Sequence, residues 1–263
     1  MMSCARRAGN RVLVFAFVRR CGGAALALTA MSGVAEAAAE AAPAPVKHST
    51  DLGSLVELRD DYEKSGPSMS NAFVLRGDYA PAPWFGVRVD LPLVYADRPK
   101  MRAAVGLGDV RARATLRLFA SDVSLLTGSD FFLDTAATKV LGGGKNVIAP
   151  FATVALDLGP GVWMRLQLQH LASMGGDPTR GQVSATSVRP YALVSLPEGY
   201  WMVLDQTLRF DHQGPRNVGY TGVVEGGKEL SKEVAVYVDP GIQLDSPFAL
   251  GWLASAGVRW SMP

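Results

Sequence analysis

The sequence predicts an all-β protein, a transmembrane antiparallel β-barrel of about twelve strands that follows an N-terminal signal peptide. Three observations support this prediction: strict alternation of apolar and polar residues, alternation of short and long connections, and a basic N-terminus. A period of two places successive side chains on opposite faces of a strand. An apolar outer face and a polar inner face are typical of strands that cross the outer membrane.

Residues 1–37 have the composition of an export signal. Five arginines lie within residues 1–20, a short apolar run covers 21–34, and Ala35-Glu36-Ala37 has the form of a signal-peptidase site. This order is typical of a secretory signal, and the apolar run is too short to span a membrane. We therefore expect a cleaved signal peptide at 1–37, a flexible Ala/Pro-rich lead-in at 38–50 and the barrel at 51–263.

Removal of the signal changes the charge of the protein. The chain has 26 Lys and Arg against 24 Asp and Glu, and cleavage removes five arginines and one glutamate, which leaves 21 against 23. The mature protein is then slightly acidic, so its charge gives no reason to expect nucleic acid as a partner. Both cysteines, Cys4 and Cys21, lie in the signal, so the barrel is expected to fold without disulfides.

The strands follow from the alternation, and no helical periodicity follows residue 50. Within 110–118, Arg111, Arg113 and Arg117 share one face and apolar residues share the other. The predicted strands are 55–62, 72–79, 84–95, 110–118, 129–135, 146–158, 162–171, 182–196, 200–211, 218–225, 231–239 and 248–260. Gly226-Gly227 is expected to form a hairpin turn. Ten strands are the alternative, because bacterial barrels have an even number and a weak segment such as 55–62 could drop out.

The connections separate a membrane barrel from a soluble sandwich. Short links at 80–83, 120–122, 159–160 and 197–199 alternate with longer links at 63–70, 96–107, 136–145, 173–181 and from 212 onward. Short turns at one rim and long loops at the other are typical of outer-membrane barrels. Aromatic residues near the strand ends are expected to form girdles at the membrane surfaces. They are Trp84, Tyr95, Trp163, Tyr200, Trp201, Trp252 and Trp260.

Polar side chains on the strands are expected to face the lumen. An arginine that faces lipid costs about 2–4 kcal/mol near the bilayer midplane, so the interior is the favourable location. The predicted pore-lining residues are Arg88, Asp90, Arg111, Arg113, Arg117, Arg165, Gln167, Gln169, Asp205 and Arg209. Such an arginine ladder raises the local concentration of anions and favours anionic solutes. The alternative is a plugged barrel in which arginines and aspartates only satisfy one another.

Three short motifs occur in a fixed order. They are Gly106-Leu107-Gly108-Asp109, then Gly142-Gly143-Gly144-Lys145 followed by Pro150, and His170-Leu171-Ala172-Ser173. This series resembles the family of bacterial outer-membrane transporters named for the MetA pathway of phenol degradation. The motif residues are Gly106, Gly108, Asp109, Gly142, Gly144, Lys145, Pro150 and His170. The resemblance implies an outer-membrane barrel and uptake of hydrophobic or aromatic compounds, although Gly143, Asn146 and the C-terminal Pro263 depart from the family pattern.

The sequence therefore predicts a channel or transporter in the outer membrane of a Gram-negative bacterium. We expect outer-membrane lipid, the barrel assembly machinery and an unidentified small solute as partners, and no cofactor. One alternative is a structural or partner-binding barrel that does not conduct. A less favoured alternative is a lipid hydrolase that uses His170 with Ser173 or His212 with Asp211, although residues three apart face oppositely in a strand. The histidines are scattered and the acids do not follow ligand spacing, so no metal site is expected.

Overall fold

A computed structural model describes residues 52–99, 101–213, 218–245 and 249–262, so the predicted signal peptide and lead-in lie outside the described residues. These residues form thirteen strand segments and a short 3-10 turn, η1 (Pro197–Gly199). The strands are β1 (Leu55–Ser65), β2 (Ser68–Ala82), β3 (Phe85–Asp97), β4 (Ala104–Leu107), β5 (Val110–Phe119), β6 (Val123–Leu133), β7 (Lys145–Gly159), β8 (Val162–Gly176), β9 (Ser184–Ser195), β10 (Tyr200–Asp211), β11 (Val218–Glu229), β12 (Val234–Asp245) and β13 (Ala249–Ser261).

The strands form one closed antiparallel barrel. Neighbours in sequence pair with each other, and β13 returns to pair with β1 from Leu55↔Ser261 to Ser65↔Gly251. The segments β4 and β5 pair with two successive parts of β3 and together occupy one strand position. The barrel therefore has twelve strand positions, which confirms the prediction of twelve over ten. Closure pairs the backbone groups of every strand, as a structure surrounded by lipid requires.

Both ends of the described chain lie at one end of the barrel, here called the terminal end; the opposite end is the loop end. The turns at the terminal end have two to four residues, whereas 134–144 and 177–183 at the loop end are longer. The predicted long link at 63–70 is wrong. There β1 and β2 continue to a two-residue turn at Gly66 and Pro67, where Gly66 has φ +56°, a conformation that glycine adopts readily.

The predicted hairpin turn at Gly226-Gly227 is also wrong. Strand β11 runs through both glycines, and the turn to β12 lies at 230–233. The indole of Trp201 covers Gly227, since a Cβ atom there would lie 2.1 Å from Trp201 Cζ2. Gly227 is thus required by close packing and not by a turn.

Strand β7 shows how alternation builds the barrel wall. Its odd-numbered residues from Lys145 to Ala155 are buried, whereas Val154, Leu156 and other even-numbered residues from 150 onward are exposed. The same pattern repeats around the barrel and covers its outside with apolar side chains. They include Phe73, Leu75, Leu91, Leu93, Leu116, Leu118, Leu166, Leu168, Leu208, Val224, Val238 and Leu250. An exposed apolar surface of this extent belongs in lipid.

Two features interrupt this simple division of faces. Asp60 on β1 is exposed in the outward register, between the inward-facing Arg59 and Asp61. Trp163 and Trp201 were predicted in the outer aromatic girdle, but they point inward and are buried. Together with Leu193, Val203 and Tyr237 they form the inner apolar cluster, near the terminal end of the lumen.

The other predicted girdle residues occupy the outside. Trp84, Tyr200, Trp252 and Trp260 are exposed, and Tyr95 lies in the outward register of β3 opposite Val105. Among the described residues, no helix is long and apolar enough to cross a membrane.

Candidate functional site: the lumen of the barrel

The barrel encloses a cavity of about 760 Å³ whose lining is rich in charge. Eight arginines line it: Arg59, Arg76, Arg88, Arg111, Arg113, Arg165, Arg189 and Arg259. Eight carboxylates line it as well: Glu57, Asp61, Glu63, Asp78, Asp205, Glu225, Glu229 and Asp239. Part of the inner apolar cluster, including Trp201 and Tyr237, borders the same space. The lumen thus combines charges of both signs with an aromatic surface.

The first centre of charge is Asp130 on β6, which is fully buried. Arg113, its direct cross-strand partner, donates to it from Nε at 2.6 Å and from Nη2 at 2.7 Å. Arg111 approaches the same carboxylate at 3.0 Å, and Gln169 Nε2 donates to it at 2.6 Å. Two guanidinium groups therefore share one carboxylate, through the charge-assisted hydrogen bonds that are the strongest in proteins.

The second centre is Glu57 on β1, of which 1% is exposed. Arg59 and Arg76 each approach it at 3.1 Å, and Arg259 Nε donates to it at 2.7 Å. Arg259 also makes a bidentate contact with Glu225 on β11, at 3.0 and 2.9 Å. This network connects strands β1, β2, β11 and β13 across the place where the barrel closes.

Most of the remaining arginines have a carboxylate partner. Arg88 Nε donates to Asp78 at 2.6 Å, and Arg189 Nε donates to Asp205 at 2.8 Å. Arg165 differs: among the described residues, no carboxylate forms an ion pair with it. Its guanidinium instead lies over the ring of Tyr191, 3.9 Å from the centroid, in a cation–π contact.

The predicted pore-lining residues take three kinds of position. Those that line the cavity are Arg88, Arg111, Arg113, Arg165 and Asp205. Three others lie in the wall behind it: Asp90 pairs with Arg76 at 2.8 Å, and Gln167 and Gln169 hydrogen bond within the wall. Arg117 and Arg209 share the inward register but lie near strand ends, outside the described lining of the cavity.

Of the eight carboxylates that line the cavity, the sequence reasoning identified Asp205 alone. On β1 the residues Glu57, Arg59, Asp61 and Glu63 alternate as inward-facing residues should, but Asp60 and Lys64 obscure the pattern. Arg76, Arg189 and Arg259 stand singly in their strands, so no local pattern marks them. The prediction of an anion-selective arginine ladder rested on the arginines alone, whereas the cavity lining holds equal numbers of both charges.

Six of the motif residues meet at the loop end. Asp109 accepts hydrogen bonds from the backbone amides of Ala136, at 3.1 Å, and Gly143, at 2.6 Å. These bonds hold segment 134–144 against β4, where Leu141 is buried over Gly106 and Gly108. A Cβ atom at Gly142 would lie 2.5 Å from Asp109 Oδ1. The glycines are therefore needed for close approach of this loop to the barrel wall.

The other two of these six motif residues, Gly144 and Lys145, lie where segment 134–144 joins β7. Gly144 has φ +69°, and Lys145 begins β7 with 5% of its surface exposed. Nearby, Lys139 lies 2.5 Å from Asp177 in the next loop. The hydrogen bond from Lys139, with a second from Thr179, holds the pKa of the Asp177 carboxyl well below its usual range. The long loops are thus joined by an ion pair.

Pro150 and His170 lie apart from this cluster. Pro150 is exposed in β7, and His170 is exposed on the outward face of β8. His170 Nδ1 lies 3.1 Å from Thr186 Oγ1, and His212 Nε2 lies 2.9 Å from the same hydroxyl. The predicted partner Ser173 instead accepts a hydrogen bond from the Val183 amide. The two histidines meet on a threonine, in neither of the two pairs considered for a hydrolase.

A metal site requires several ligating side chains close together. Within residues 52–99, 101–213, 218–245 and 249–262, no group of three or more His, Cys, Asp or Glu residues could hold a metal ion.

Comparisons with known proteins extend these observations. No family model and no curated protein matches the chain. Solved structures do match. The COG4313 outer membrane channel from Pseudomonas putida F1 matches with a TM-score of 0.67 and 12% sequence identity, over 82% of this chain and 98% of that one. The NanC porin matches with a TM-score of 0.61 and 8% identity, over 79% of this chain and 100% of that one, and the KdgM porin in complex with disordered oligogalacturonate matches with a TM-score of 0.57 and 12% identity, over 80% of this chain and 99% of that one. At these identities the likeness establishes that the chain has the fold of outer-membrane channel barrels.

Proposed function

We propose that this protein is an outer-membrane channel that passes small solutes through its charged lumen. The observation that carries the proposal is the cavity of about 760 Å³, lined by charged side chains within a barrel whose outside is apolar. Charged groups that line a water-filled path select solutes by their charge. The barrel fold and the charged lumen together favour this function.

The proposed orientation follows from the two ends of the barrel. Short turns face the periplasm in bacterial barrels, so the terminal end is the periplasmic end and the long loops are extracellular. The apolar outside is then covered by outer-membrane lipid. The barrel assembly machinery would insert the chain after cleavage of the proposed signal at 1–37. The resemblance to the MetA-pathway transporters adds aromatic compounds as solutes, for which the inner apolar cluster offers a surface.

Single-channel recording tests this proposal. Refolded protein in a planar bilayer with KCl on both sides should give discrete current steps, which aromatic or carboxylate solutes reduce when they enter the lumen. Because arginines and carboxylates line the cavity in equal number, we expect weak ion selectivity. When the KCl concentration differs between the two sides, replacement of Arg111, Arg113 and Arg165 by Gln should shift the reversal potential toward cation selectivity. Absence of current steps in correctly folded protein would contradict the proposal.

A second candidate is a structural barrel that does not conduct. The pairing of most lumen arginines favours it, because paired charges can fill a narrow barrel. The two candidates differ in the same recording: a structural barrel gives no current, and its Arg→Gln variants change stability alone.

A further inference from the structure

The charges of the lumen are divided between two opposite walls. The arginine wall consists of the inward-facing residues of β3, β5, β6, β8 and β9, which include five arginines and two aspartates. They are Arg88, Arg111, Arg113, Arg165 and Arg189, with Asp90 and Asp130. The acidic wall consists of the inward-facing residues of β10 to β13 and β1, which include seven carboxylates and two arginines, Arg59 and Arg259. On β2, the positive charge of Arg76 and the negative charge of Asp78 offset each other.

Strand order places the two walls across the lumen from each other. Of the twelve strand positions, β5 and β11 are six apart, and so are β8 and β1. Arg113 therefore faces the side that carries Glu225, and Arg165 faces the side that carries Asp61. A field directed across the lumen results, and it is stronger there than in bulk water because the walls have a low dielectric constant.

Each wall also has one charged side chain without an ion-pair partner among the described residues. Arg165 has no ion-pair partner among the described residues; Arg189 and Arg113 repel it, and Asp205 attracts it without forming an ion pair. On the acidic wall, Asp239 lines the cavity, and its Oδ1 atom is buried without a hydrogen-bond partner. Burial and repulsion by Glu225 and Asp61 disfavour its negative charge, whereas a hydrogen bond from Ser255 and attraction by Arg59 favour it. A buried oxygen without a donor is costly unless a ligand supplies one.

We infer that the lumen favours small zwitterions, solutes that carry a carboxylate and an ammonium group, over solutes of one charge. This inference rests on the proposed channel function. The carboxylate of the solute faces Arg165 on the arginine wall, and its ammonium group donates to Asp239 on the acidic wall. A solute with one charge gains from one wall and is repelled by the other. Tyr191 and Trp201 lie on the same cavity and give an aromatic side chain a surface for stacking.

Three solutes of nearly equal size separate the contributions of the two charges. Phenylalanine is zwitterionic at pH 7, N-acetylphenylalanine keeps the carboxylate alone, and phenylalanine amide keeps the ammonium group alone. We measure how strongly each one reduces the single-channel current, and its dissociation constant for detergent-solubilised protein by calorimetry. Phenylalanine should bind about threefold to fivefold more tightly than either analogue, as expected for one further exposed ion pair.

Variants assign the preference to the two walls. Arg165→Gln should weaken phenylalanine and the acetyl analogue but not the amide, and Asp239→Asn should weaken phenylalanine and the amide but not the acetyl analogue. Arg209→Gln, outside the cavity, is the matched control and should change none of the three. Equal binding of all three solutes to a conducting wild-type barrel would overturn this inference and leave the channel function intact. A barrel that does not conduct but prefers phenylalanine in calorimetry would overturn the channel function alone.

Discussion

Glu57 and Asp130 are both almost fully buried carboxylates of the lumen wall, and each is shared by more than one arginine. They differ in what their partners connect. The partners of Asp130, Arg111 and Arg113, lie on β5, which a short turn joins to β6. Glu57 contacts Arg259, which is 202 residues distant in the chain and lies on the last strand. The ion pairs of the first centre lie within a hairpin, to which Gln169 of β8 adds a neutral hydrogen bond, whereas those of the second join the two strands that close the barrel.

This difference shows that the same ionic chemistry can stabilise a barrel to different degrees. The turn at 120–122 keeps β5 and β6 close even when Asp130 loses its contacts, because a short connection holds the strands at high effective concentration. Strands β1 and β13 have no such connection, and only backbone pairing and side-chain contacts hold them together. We therefore expect the seam between these strands to depend more strongly on its ion network.

The largest effect is expected for Glu57→Gln. The change removes the charge that Arg59, Arg76 and Arg259 share, and breaking a buried ion pair from one side costs about 3–5 kcal/mol. The free energy of unfolding should fall by this amount in urea titrations of the protein in detergent micelles, followed by tryptophan fluorescence. Asp60→Asn, on the opposite face of the same strand, is the control and should not lower stability. Equal stability of the Glu57→Gln and wild-type proteins would show that backbone pairing alone closes the seam.

A smaller loss is expected for Asp130→Asn. Arg111, Arg113 and Gln169 lose a charged acceptor but keep the amide oxygen, which corresponds to about 1.5–3 kcal/mol. The same titration measures the change, and the mobility of unheated protein in an SDS gel reports whether the barrel remains closed. A loss as large as that of Glu57→Gln would remove the distinction between hairpin and seam.

The two centres also show what the sequence can predict. Arg111 and Arg113 belong to an alternating run, so their face, their strand and the barrel were predictable from local pattern. The identity of their partner was not, because Asp130 stands alone in β6 between aromatic and small residues. Register between strands places the two together, and register depends on contacts that no single segment records.

The seam was less predictable for a further reason. The segment 55–62 is a weak predicted strand, because Asp60 interrupts its apolar face, yet this strand holds Glu57. Similarly, two adjacent glycines usually indicate a turn, but at 226–227 they lie within a strand because Trp201 packs on Gly227. Both errors arise where contact with a distant strand outweighs local preference.

Trp201 offers a way to weaken the seam network from a distance. It donates from Nε1 to Glu225 at 2.8 Å, and Glu225 holds the far side of Arg259. Gly227→Ala should displace the indole and lower the free energy of unfolding by about 1–3 kcal/mol, as overpacking commonly does. Gly226→Ala is the matched control, because nothing lies within 4 Å of a Cβ atom there. If both variants lose the same stability in urea, strand propensity is responsible and not the packing of Trp201.

The smallest effect is expected at Asp177, a partly buried carboxylate in a loop, which contrasts with both buried centres in the barrel wall. Its pKa is lowered by the hydrogen bonds from Lys139 and Thr179, so its contribution to loop stability is present above the unfolded pKa of about 3.9. That contribution is lost as the pH falls through the lower folded pKa. The protection factors for hydrogen exchange of segments 134–144 and 177–183, which correct for the pH dependence of the intrinsic exchange rate, should therefore be equal at pH 7 and pH 5 and lower near pH 3. In Asp177→Asn the exchange should already be faster at pH 7, since the ion pair with Lys139 is absent at every pH. A protection factor of the wild-type loops that is lower at pH 5 than at pH 7 would instead assign the change to a group other than Asp177.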